Sequence, residues 1–449
     1  MAYLIFKEIG NDGSADTIRL YGLVCFVHFV LMFVSLKQIT HKYLSLYACY
    51  LMAFFLFQCG QYVLYAFNVD YNYFYIESYS KSIVAKSVMF STLCNGASFL
   101  AAPFCLHHKE NRFIKKINSI DADFILPIAK LLFLLFSFIE IPYCMIRFYV
   151  AIQSGYNGVR NLEASLPSFF SLIDMLYIPS ILLCTIYEKQ NKKKYVYVLV
   201  FWSVITCLNG DRSSGIGGLL IFSLMFLNGI LKVDKRKIYK RRYVTIALIF
   251  LLSAYLIPFA YNFRNQQEIN SLTINGNIIT DVVGELGFSF FPLVLTMVIC
   301  PSKTDFLYGK SIFASIISAF FPASLDFFGI FTKFFSLSTE GRSWLDKYFN
   351  YNFGLGYSLN AESYSNFGEY GYIWIFILSI LVAKILAEPD FTRNNNKFSQ
   401  YASMSLLFVL FTMPRRSCYY LFNFYIYYVI IIGLLLLLFS KSKSKKASI

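Results

Sequence analysis

Hydrophobic residues fall in long runs along this chain, with short polar stretches between them. A helical run of about 20 apolar residues can cross the roughly 30 Å hydrocarbon core of a bilayer. The sequence therefore predicts spans near 18–36, 44–68, 82–106, 124–150, 165–187, 195–208, 213–231, 243–262, 281–300, 310–332, 370–388, 401–414 and 419–440. The pair 281–300 and 310–332 contains Pro292, Pro322 and Asp326. This pair is predicted either to cross, giving about 13 spans, or to be re-entrant or lie along the surface, giving about 11.

The composition agrees with this pattern. Hydrophobic residues make up 57% of the chain and charged residues only 14%, whereas about a quarter of the residues in a soluble domain are charged. The predicted fold class is all-α, a polytopic integral membrane protein with about 11 to 13 transmembrane helices. Residues 1–449 are expected to form a single membrane domain.

Lysine and arginine are concentrated in alternate loops, which predicts the orientation of the chain. Examples are the loops at 109–116, 189–194, 232–242, 303–310 and 441–446. Basic loops lie on the cytoplasmic side of a membrane, so the opposite loops are predicted to be extracytoplasmic, including a large region late in the chain, 333–369. The net charge of +15 is thereby explained by topology. Anionic lipid head groups, and not nucleic acid, are the expected partners of these lysines.

A polar, glycine-punctuated stretch at 354–371 interrupts the hydrophobic pattern. It reads Gly-Leu-Gly-Tyr-Ser-Leu-Asn-Ala-Glu-Ser-Tyr-Ser-Asn-Phe-Gly-Glu-Tyr-Gly. Such a stretch cannot lie exposed in hydrocarbon, because each unpaired backbone amide there costs several kcal/mol. It is expected to line a water-accessible cavity or a membrane surface, and it is the candidate active-site segment. Glu362 within it is the candidate general base; the alternative is a glutamate that stabilises a helix N-terminus.

Several arginines lie in the predicted outer loops, although basic residues are normally concentrated in cytoplasmic loops. Arg212 follows Asn-Gly-Asp in a tight turn, Arg264 ends a span, and Arg415 and Arg416 are adjacent in a very short turn. The planar guanidinium fork is suited to bidentate binding of phosphate or pyrophosphate. Pairing of Arg212 with Asp211 and snorkelling of Arg264 are the structural alternatives. Two adjacent arginines repel each other unless an anion neutralises them, which favours a binding role for the pair.

Two further features leave alternatives open. Arg342 and Trp344 are either a lid or sugar contact, or part of a loop held by the local pair of Glu340 with Arg342. Glu140 and Arg147 are seven residues apart within one predicted span, so they share a helix face. They are expected to interact with one another or with neighbouring spans, either as architecture or as part of an ion path.

No metal or cofactor motif is present in the sequence. The ten cysteines are scattered without C-x-x-C spacing and the four histidines are isolated or at predicted cytoplasmic edges, so neither a metal site nor a cofactor is predicted.

The order of many spans, an outer Gly-Asp-Arg turn, a large late outer region and the segment 354–371 resembles the Wzy-type O-antigen and capsular repeat-unit polymerases. The resemblance is most specific over 354–371 and looser around 209–220 and 410–418. It implies a membrane glycosyltransferase of the bacterial inner membrane, with its active site facing the periplasm. Such an enzyme moves the growing glycan from undecaprenyl pyrophosphate onto the next lipid-linked repeat unit, and a chain-length regulator is a possible partner.

On that resemblance, the catalytic residues are expected to be Glu362, Arg212, Arg415 and Arg416. Substrate contacts are expected from Arg264, Arg342, Trp344, Tyr357, Tyr364 and Asn366. The alternatives are a lipid-linked oligosaccharide flippase or other transporter, an O-antigen ligase, and a membrane acyltransferase. The ligase and acyltransferase readings are less favoured, because no histidine lies on the predicted outer side and His28 alone lies within a span.

Overall fold

A computed structural model describes residues 14–40, 45–106, 111–227, 278–320, 345, 348–349, 357–387 and 396–446. Every regular element in these ranges is helical, and eight helical stretches are long and apolar enough to cross a membrane. Two shorter apolar helices, Ser214–Met225 and Lys310–Phe320, accompany them. The predicted fold class is confirmed: the protein is an all-α polytopic membrane protein. The predicted span 243–262 lies outside the described residues.

The α-helices are numbered in chain order. They are α1 (Ala15–Thr40), α2 (Leu46–Ala66), α3 (Phe74–Ser78), α4 (Lys81–Leu100), α5 (Arg112–Asn118), α6 (Ala122–Ser165), α7 (Ser168–Tyr187), α8 (Lys192–Leu208), α9 (Arg212–Leu227), α10 (Ile278–Gly287), α11 (Phe291–Ile299), α12 (Lys310–Phe320), α13 (Leu359–Phe367), α14 (Gly371–Ile385), α15 (Lys397–Thr412), α16 (Tyr419–Tyr425) and α17 (Ile432–Lys446). Single 3₁₀ turns occupy Ala102–Leu106, Phe288–Phe290, Gly368–Tyr370 and Met413–Arg415, and a π-helical turn occupies Ile426–Ile431.

Several helices begin where a polar side chain caps the first turn. Ser45 Oγ accepts a hydrogen bond from the backbone N–H of Ala48 at the start of α2, and Asp121 accepts one from Asp123 at the start of α6. Such caps satisfy amide groups that have no partner within the helix. They fix the helix ends at the boundaries of the hydrophobic runs.

The described residues form two compact units. The first falls within Met1–His108, Ile279–Ala387 and Leu410–Asn423, and the second within Lys109–Ile278, Glu388–Val409 and Phe424–Ile449.

The centre of the first unit is α2. This helix packs against α1, α4, the 3₁₀ turn Phe288–Phe290 and the 3₁₀ turn Met413–Arg415, and most of its residues are buried, including Gln58 and Gln61. A helix buried on all sides has no water with which to satisfy its polar side chains, so these must bond to protein groups. The short helix α13 packs on α11 and α14 in the same unit.

The second unit is built around α6, α7, α8 and α9. The long helix α6 contacts α7 and α8, and α8 pairs with α9. One face of α6 exposes large apolar side chains, among them Leu134, Leu135 and Phe138, as expected for a helix that faces lipid. Gly155 has a positive φ of 63° and kinks α6 beyond the apolar span.

Candidate active site

The polar segment 357–371 folds into a short buried helix followed by a bend. Ser358 Oγ accepts a hydrogen bond from the backbone N–H of Ala361 at 3.1 Å and caps α13. The polar side chains of α13 then point into the protein; those buried are Asn360, Glu362, Ser363, Ser365 and Asn366. The expectation that this segment lines a water-accessible cavity or a membrane surface is therefore not met over α13, whereas Tyr370 at the bend is 70% exposed. The hydroxyls of Ser363 and Ser365 donate to backbone carbonyls of α13 itself, and Asn360 donates to Ser91 of α4.

The bend between α13 and α14 depends on two glycines. Gly368 has a φ of +57°, and a Cβ there would lie 2.9 Å from the Phe306 ring. At Gly371 a Cβ would lie 2.6 Å from the carbonyl oxygen of Ser363. Residues eight apart in a straight helix are about 12 Å apart, so this proximity shows that the chain folds back sharply. Gly368 supplies the positive φ and Gly371 the close approach to Ser363, and a side chain at either position would conflict with the bend.

Glu362 lies at the interior of the site. Its side chain is buried, with the residue 2% exposed. Its Oε2 accepts a hydrogen bond of 2.7 Å from the backbone N–H of Cys418, and its Oε1 lies 3.5 Å from Cys418 Sγ. Burial, with the neighbouring Glu362 carboxylate, raises the pKa of the Cys418 thiol, so the thiol stays protonated and donates to the carboxylate. Glu362 therefore ties α13 to the segment that follows the double arginine.

The double arginine lies in a tight turn, which we call the arginine turn and define as residues 413–418. After α15 ends at Thr412, the 3₁₀ turn Met413–Arg415 leads to Arg416 in an extended conformation. The backbone N–H of Arg416 donates to the carbonyl of Met413 at 2.8 Å. Arg415 and Arg416 are half-buried while their flanking residues in the turn are buried. The guanidinium of Arg416 lies 4.4 Å from the centre of the Tyr420 ring, a cation–π contact that helps orient it.

A side chain from α2 holds the other end of the arginine turn. Gln58 Nε2 donates a hydrogen bond of 2.5 Å to the carbonyl oxygen of Pro414. Gln58 Oε1 accepts one of 3.3 Å from the Ser358 hydroxyl at the start of α13. Sequence reasoning missed Gln58. Its signal in the sequence is that an uncharged polar residue lies in the middle of the predicted span 44–68, whereas the predictions made within spans concern charged residues.

The predicted sugar contacts in α13 and just before it differ in how deeply they are buried. Asn366 is buried; its Nδ2 donates to Ser311 Oγ and to the carbonyl of Glu362, each at 2.7 Å, and its Oδ1 accepts from Gly309. Tyr364 is half-buried and packs edge-on against the rings of Phe90 and Phe306. Tyr357 is buried, and burial beside Glu362 raises its pKa. Of these three side chains, Tyr364 is the most accessible.

One topological expectation is wrong. The sequence places the loop with Lys303 and Lys310 in the cytoplasm and the segment 354–371 outside, on opposite sides. In the structure Leu307 and Tyr308 donate backbone hydrogen bonds to the carbonyls of Ser365 and Asn366, at 2.9 and 3.0 Å. The two segments therefore lie together. Two lysines give only a weak charge bias, and packing of this loop onto α13 overrides it.

The predicted turn around Arg212 is present in the second unit. α8 ends at Leu208, Gly210 takes a φ of 96°, and Asp211 Oδ1 accepts a hydrogen bond from the backbone N–H of Ser214 at 3.2 Å. Arg212 is the first residue of α9. Arg264, Arg342 and Trp344 lie outside the described residues.

The expected interaction of Glu140 with Arg147 is confirmed. Arg147 Nη2 lies 2.7 Å from Glu140 Oε1 and 3.2 Å from Asp174 Oδ1, and Nη1 lies 3.6 Å from Glu163. Trp202 Nε1 also donates to Glu140, at 3.1 Å. These contacts join α6, α7 and α8 within the second unit, which favours the architectural alternative over the ion path.

The fold defines a polytopic membrane protein in which Arg415 and Arg416 lie between two hydrogen-bonded anchors of the arginine turn. Over residues 5–447 the chain matches the family described as O-antigen polysaccharide polymerase Wzy, and because the match covers nearly all of it, the chain belongs to that family. It is a multi-pass inner-membrane polymerase of the glycosyltransferase type, acting on lipid-linked oligosaccharide repeat units. No curated protein and no solved structure matches the chain.

Proposed function

We propose that the protein transfers the growing glycan from undecaprenyl pyrophosphate to the next lipid-linked repeat unit, at the periplasmic face, and that Arg415 and Arg416 bind the pyrophosphate. In this reaction the acceptor hydroxyl attacks the anomeric carbon of the donor glycan. A new glycosidic bond forms, the bond from the anomeric carbon to the pyrophosphate oxygen breaks, and the hydroxyl proton passes to a general base, for which Glu362 is the predicted candidate. The leaving group is undecaprenyl pyrophosphate.

The observation that carries the proposal is the geometry of the arginine turn. The carbonyl of Pro414 and the amide of Cys418 are both bonded to buried side chains, while Arg415 and Arg416 between them are half-buried. A pyrophosphate leaving group needs positive charge and hydrogen-bond donors at fixed positions. Two guanidinium groups on a fixed turn provide both, and the proposal includes no metal ion for this purpose.

The periplasmic location is proposed from the distribution of lysines. Lys37 lies in the last turn of α1, and Lys384 in the last turn of α14, as expected for cytoplasmic helix ends. The bend at Gly368 lies just before the first residue of α14, and Lys384 lies in its last turn, so the two are at opposite ends of this helix. The bend, and with it the segment 357–371, is thereby proposed to face the periplasm.

The remaining predicted contacts are carried forward as proposals. Tyr364 is proposed to stack on a sugar ring, since aromatic faces are suited to the apolar faces of sugars, and Arg212 to bind a phosphate group separately in the second unit. Arg264, Arg342, Trp344, Tyr357 and Asn366 keep their predicted substrate contacts, and a chain-length regulator remains the proposed protein partner.

Turnover of a purified undecaprenyl-pyrophosphate-linked repeat unit tests the role of the turn. Arg415→Ala and Arg416→Ala are each expected to lower the rate about 100-fold, the typical cost of removing one transition-state donor. Arg19→Ala is the matched control: Arg19 lies in the first unit, is partly exposed and pairs with Asp16 at 3.5 Å, and its loss is expected to leave the rate unchanged. Wild-type rates in both turn variants, at normal protein levels, would refute the proposal.

A further inference from the structure

The arginine turn is held from two sides by buried side chains, of which the sequence predicts a functional role for one, Glu362, and none for the other, Gln58. Glu362 of α13 bonds to the amide of Cys418, and Gln58 of α2 bonds to the carbonyl of Pro414. The two anchored backbone groups bracket Arg415 and Arg416. The direction of both guanidinium groups therefore depends on where the two anchors hold the backbone.

Gln58 has contacts on both ends of its amide. Its Nε2 reaches Pro414, and its Oε1 accepts the hydroxyl of Ser358, which also caps α13. Its own carbonyl accepts a hydrogen bond of 3.0 Å from Ser91 of α4, and Asn360 donates to the same Ser91 hydroxyl at 2.9 Å. The side chain is thereby bonded to the start of α13 and to the arginine turn, while Ser91 of α4 holds the backbone of Gln58. A buried amide bonded at both Nε2 and Oε1 has one preferred orientation, because reversing it would place Oε1 against the carbonyl oxygen of Pro414, acceptor against acceptor.

We infer that Gln58 is a positioning residue of this polymerase, whose amide fixes the carbonyl of Pro414 and thereby aims Arg415 and Arg416 at the phosphorylated substrate. The inference rests on the proposed function of the arginine turn. Gln58 does not touch the substrate in this account; it acts through the turn. Catalytic groups displaced by as little as about 1 Å can lose a factor of about 100 in rate, so a residue of this kind has a measurable effect.

A double-mutant cycle tests the inference through the ratio kcat/KM for the lipid-linked donor. Gln58→Met removes the amide donor while keeping a side chain of similar length, and is expected to lower kcat/KM at least about 10-fold. Combined with Arg416→Ala, it is expected to cost less than it does in the wild-type background, because the part of its effect that acts through Arg416 is already lost and only the part through Arg415 remains. Gln58→Leu, a second variant that lacks the amide donor, is expected to behave as Gln58→Met does.

The matched control is Gln61, three residues later in α2. Gln61 is also buried, and its Nε2 donates to the carbonyl of Gly284 at 2.7 Å. Gly284 lies in α10 and not in the arginine turn. The double variant Gln61→Met/Arg416→Ala is expected to lower kcat/KM by the product of the two factors measured for the single variants. Rates are expressed per amount of folded protein that elutes as a single species in detergent.

Each outcome has a defined meaning. If Arg415→Ala and Arg416→Ala both keep the wild-type rate, the proposed function of the turn is wrong, and the inference falls with it. If only Arg416→Ala keeps it, the inference that Gln58 aims Arg416 is wrong. If Arg416→Ala loses activity but Gln58→Met has the wild-type rate, or its cost multiplies with that of Arg416→Ala, only the positioning role is wrong. If neither Gln58 variant yields folded protein while Gln61→Met does, Gln58 is required for folding, and the positioning role is also wrong.

Discussion

Glu362 has two candidate roles at the arginine turn: general base, and support for the backbone of the turn. Its contacts distinguish between them. A general base must reach the acceptor hydroxyl with a free lone pair, about 2.6 to 3.2 Å away. In the structure the carboxylate is buried, and its two oxygens face the amide and the thiol of Cys418. These contacts favour a role in holding the turn, while the general-base role stays a prediction.

Two substitutions at Glu362 distinguish these roles. Glu362→Gln keeps an oxygen that can accept the amide of Cys418, whereas Glu362→Ala leaves that buried amide without a partner, at a cost of about 1 to 3 kcal/mol. We expect Glu362→Gln to turn over lipid-linked substrate at least about 10-fold faster than Glu362→Ala. The rates are compared at equal amounts of folded protein. Equal and severe losses in both variants would instead support the general base.

Individual residues differ in how far the sequence predicts their contacts. The pairing of Glu140 with Arg147 is predictable because the two residues share a helix face seven positions apart. The bond from Gln58 to Pro414 joins residues 356 positions apart, and the bond from Glu362 to Cys418 spans 56. No local periodicity encodes such contacts. The sequence therefore singled out the arginines and Glu362 but not the side chain from α2 that supports them.

At the scale of elements, the bend between α13 and α14 determines how the site is assembled. It allows α13 to pack against α14 and brings the loop at 306–309 to the end of α13. The hydrophobic pattern predicts α14 as a span near 370–388, but it does not predict that the polar residues before it form a buried helix. That outcome depends on acceptors and donors from α2, α4 and the arginine turn, which are distant in sequence.

Gly368→Ala tests the importance of this bend. At a φ of +57° an alanine is strained, and its Cβ would lie 2.9 Å from the Phe306 ring, so we expect a loss of about 1 to 3 kcal/mol in stability. Thermal denaturation in detergent measures the effect, with a lowered melting temperature as the expected result. The neighbouring exposed residue provides the control, since Glu369→Ala is expected to melt as wild type does. Unchanged melting of Gly368→Ala would show that the bend is not required.

At the scale of the whole molecule, the eight long apolar helices and the family match identify a polytopic membrane polymerase. The hydrophobic pattern predicts this class because the length of each run is set by the thickness of the bilayer. Sidedness is less well predicted, as the loop with Lys303 and Lys310 demonstrates. In the second unit the charges of Glu140, Arg147 and Asp174 contact one another across α6 and α7, and Trp202 of α8 donates to Glu140, which favours architecture over an ion path.

Labelling of single added cysteines tests the sidedness of the first unit. Tyr308 and Tyr370 are 74% and 70% exposed, and both lie near the bend, so Tyr308→Cys and Tyr370→Cys are expected to react with an impermeant thiol reagent added from the periplasm. Lys384→Cys, at the other end of α14, is expected to react only after permeabilisation. The parent protein controls for its own cysteines. Reaction of Tyr308→Cys from the cytoplasm alone would restore the topology expected from the lysines.

The most direct test of the central claim is the surface glycolipid of a strain that lacks the gene. The strain is complemented with wild type or with the double variant Arg415→Ala/Arg416→Ala, and the glycolipid is separated on a gel. We predict that the deletion and the double variant both lose the ladder of long chains and keep a core that bears a single repeat unit, while wild type restores the ladder. Loss of all repeat-bearing glycolipid would contradict polymerisation and point to a flippase or ligase.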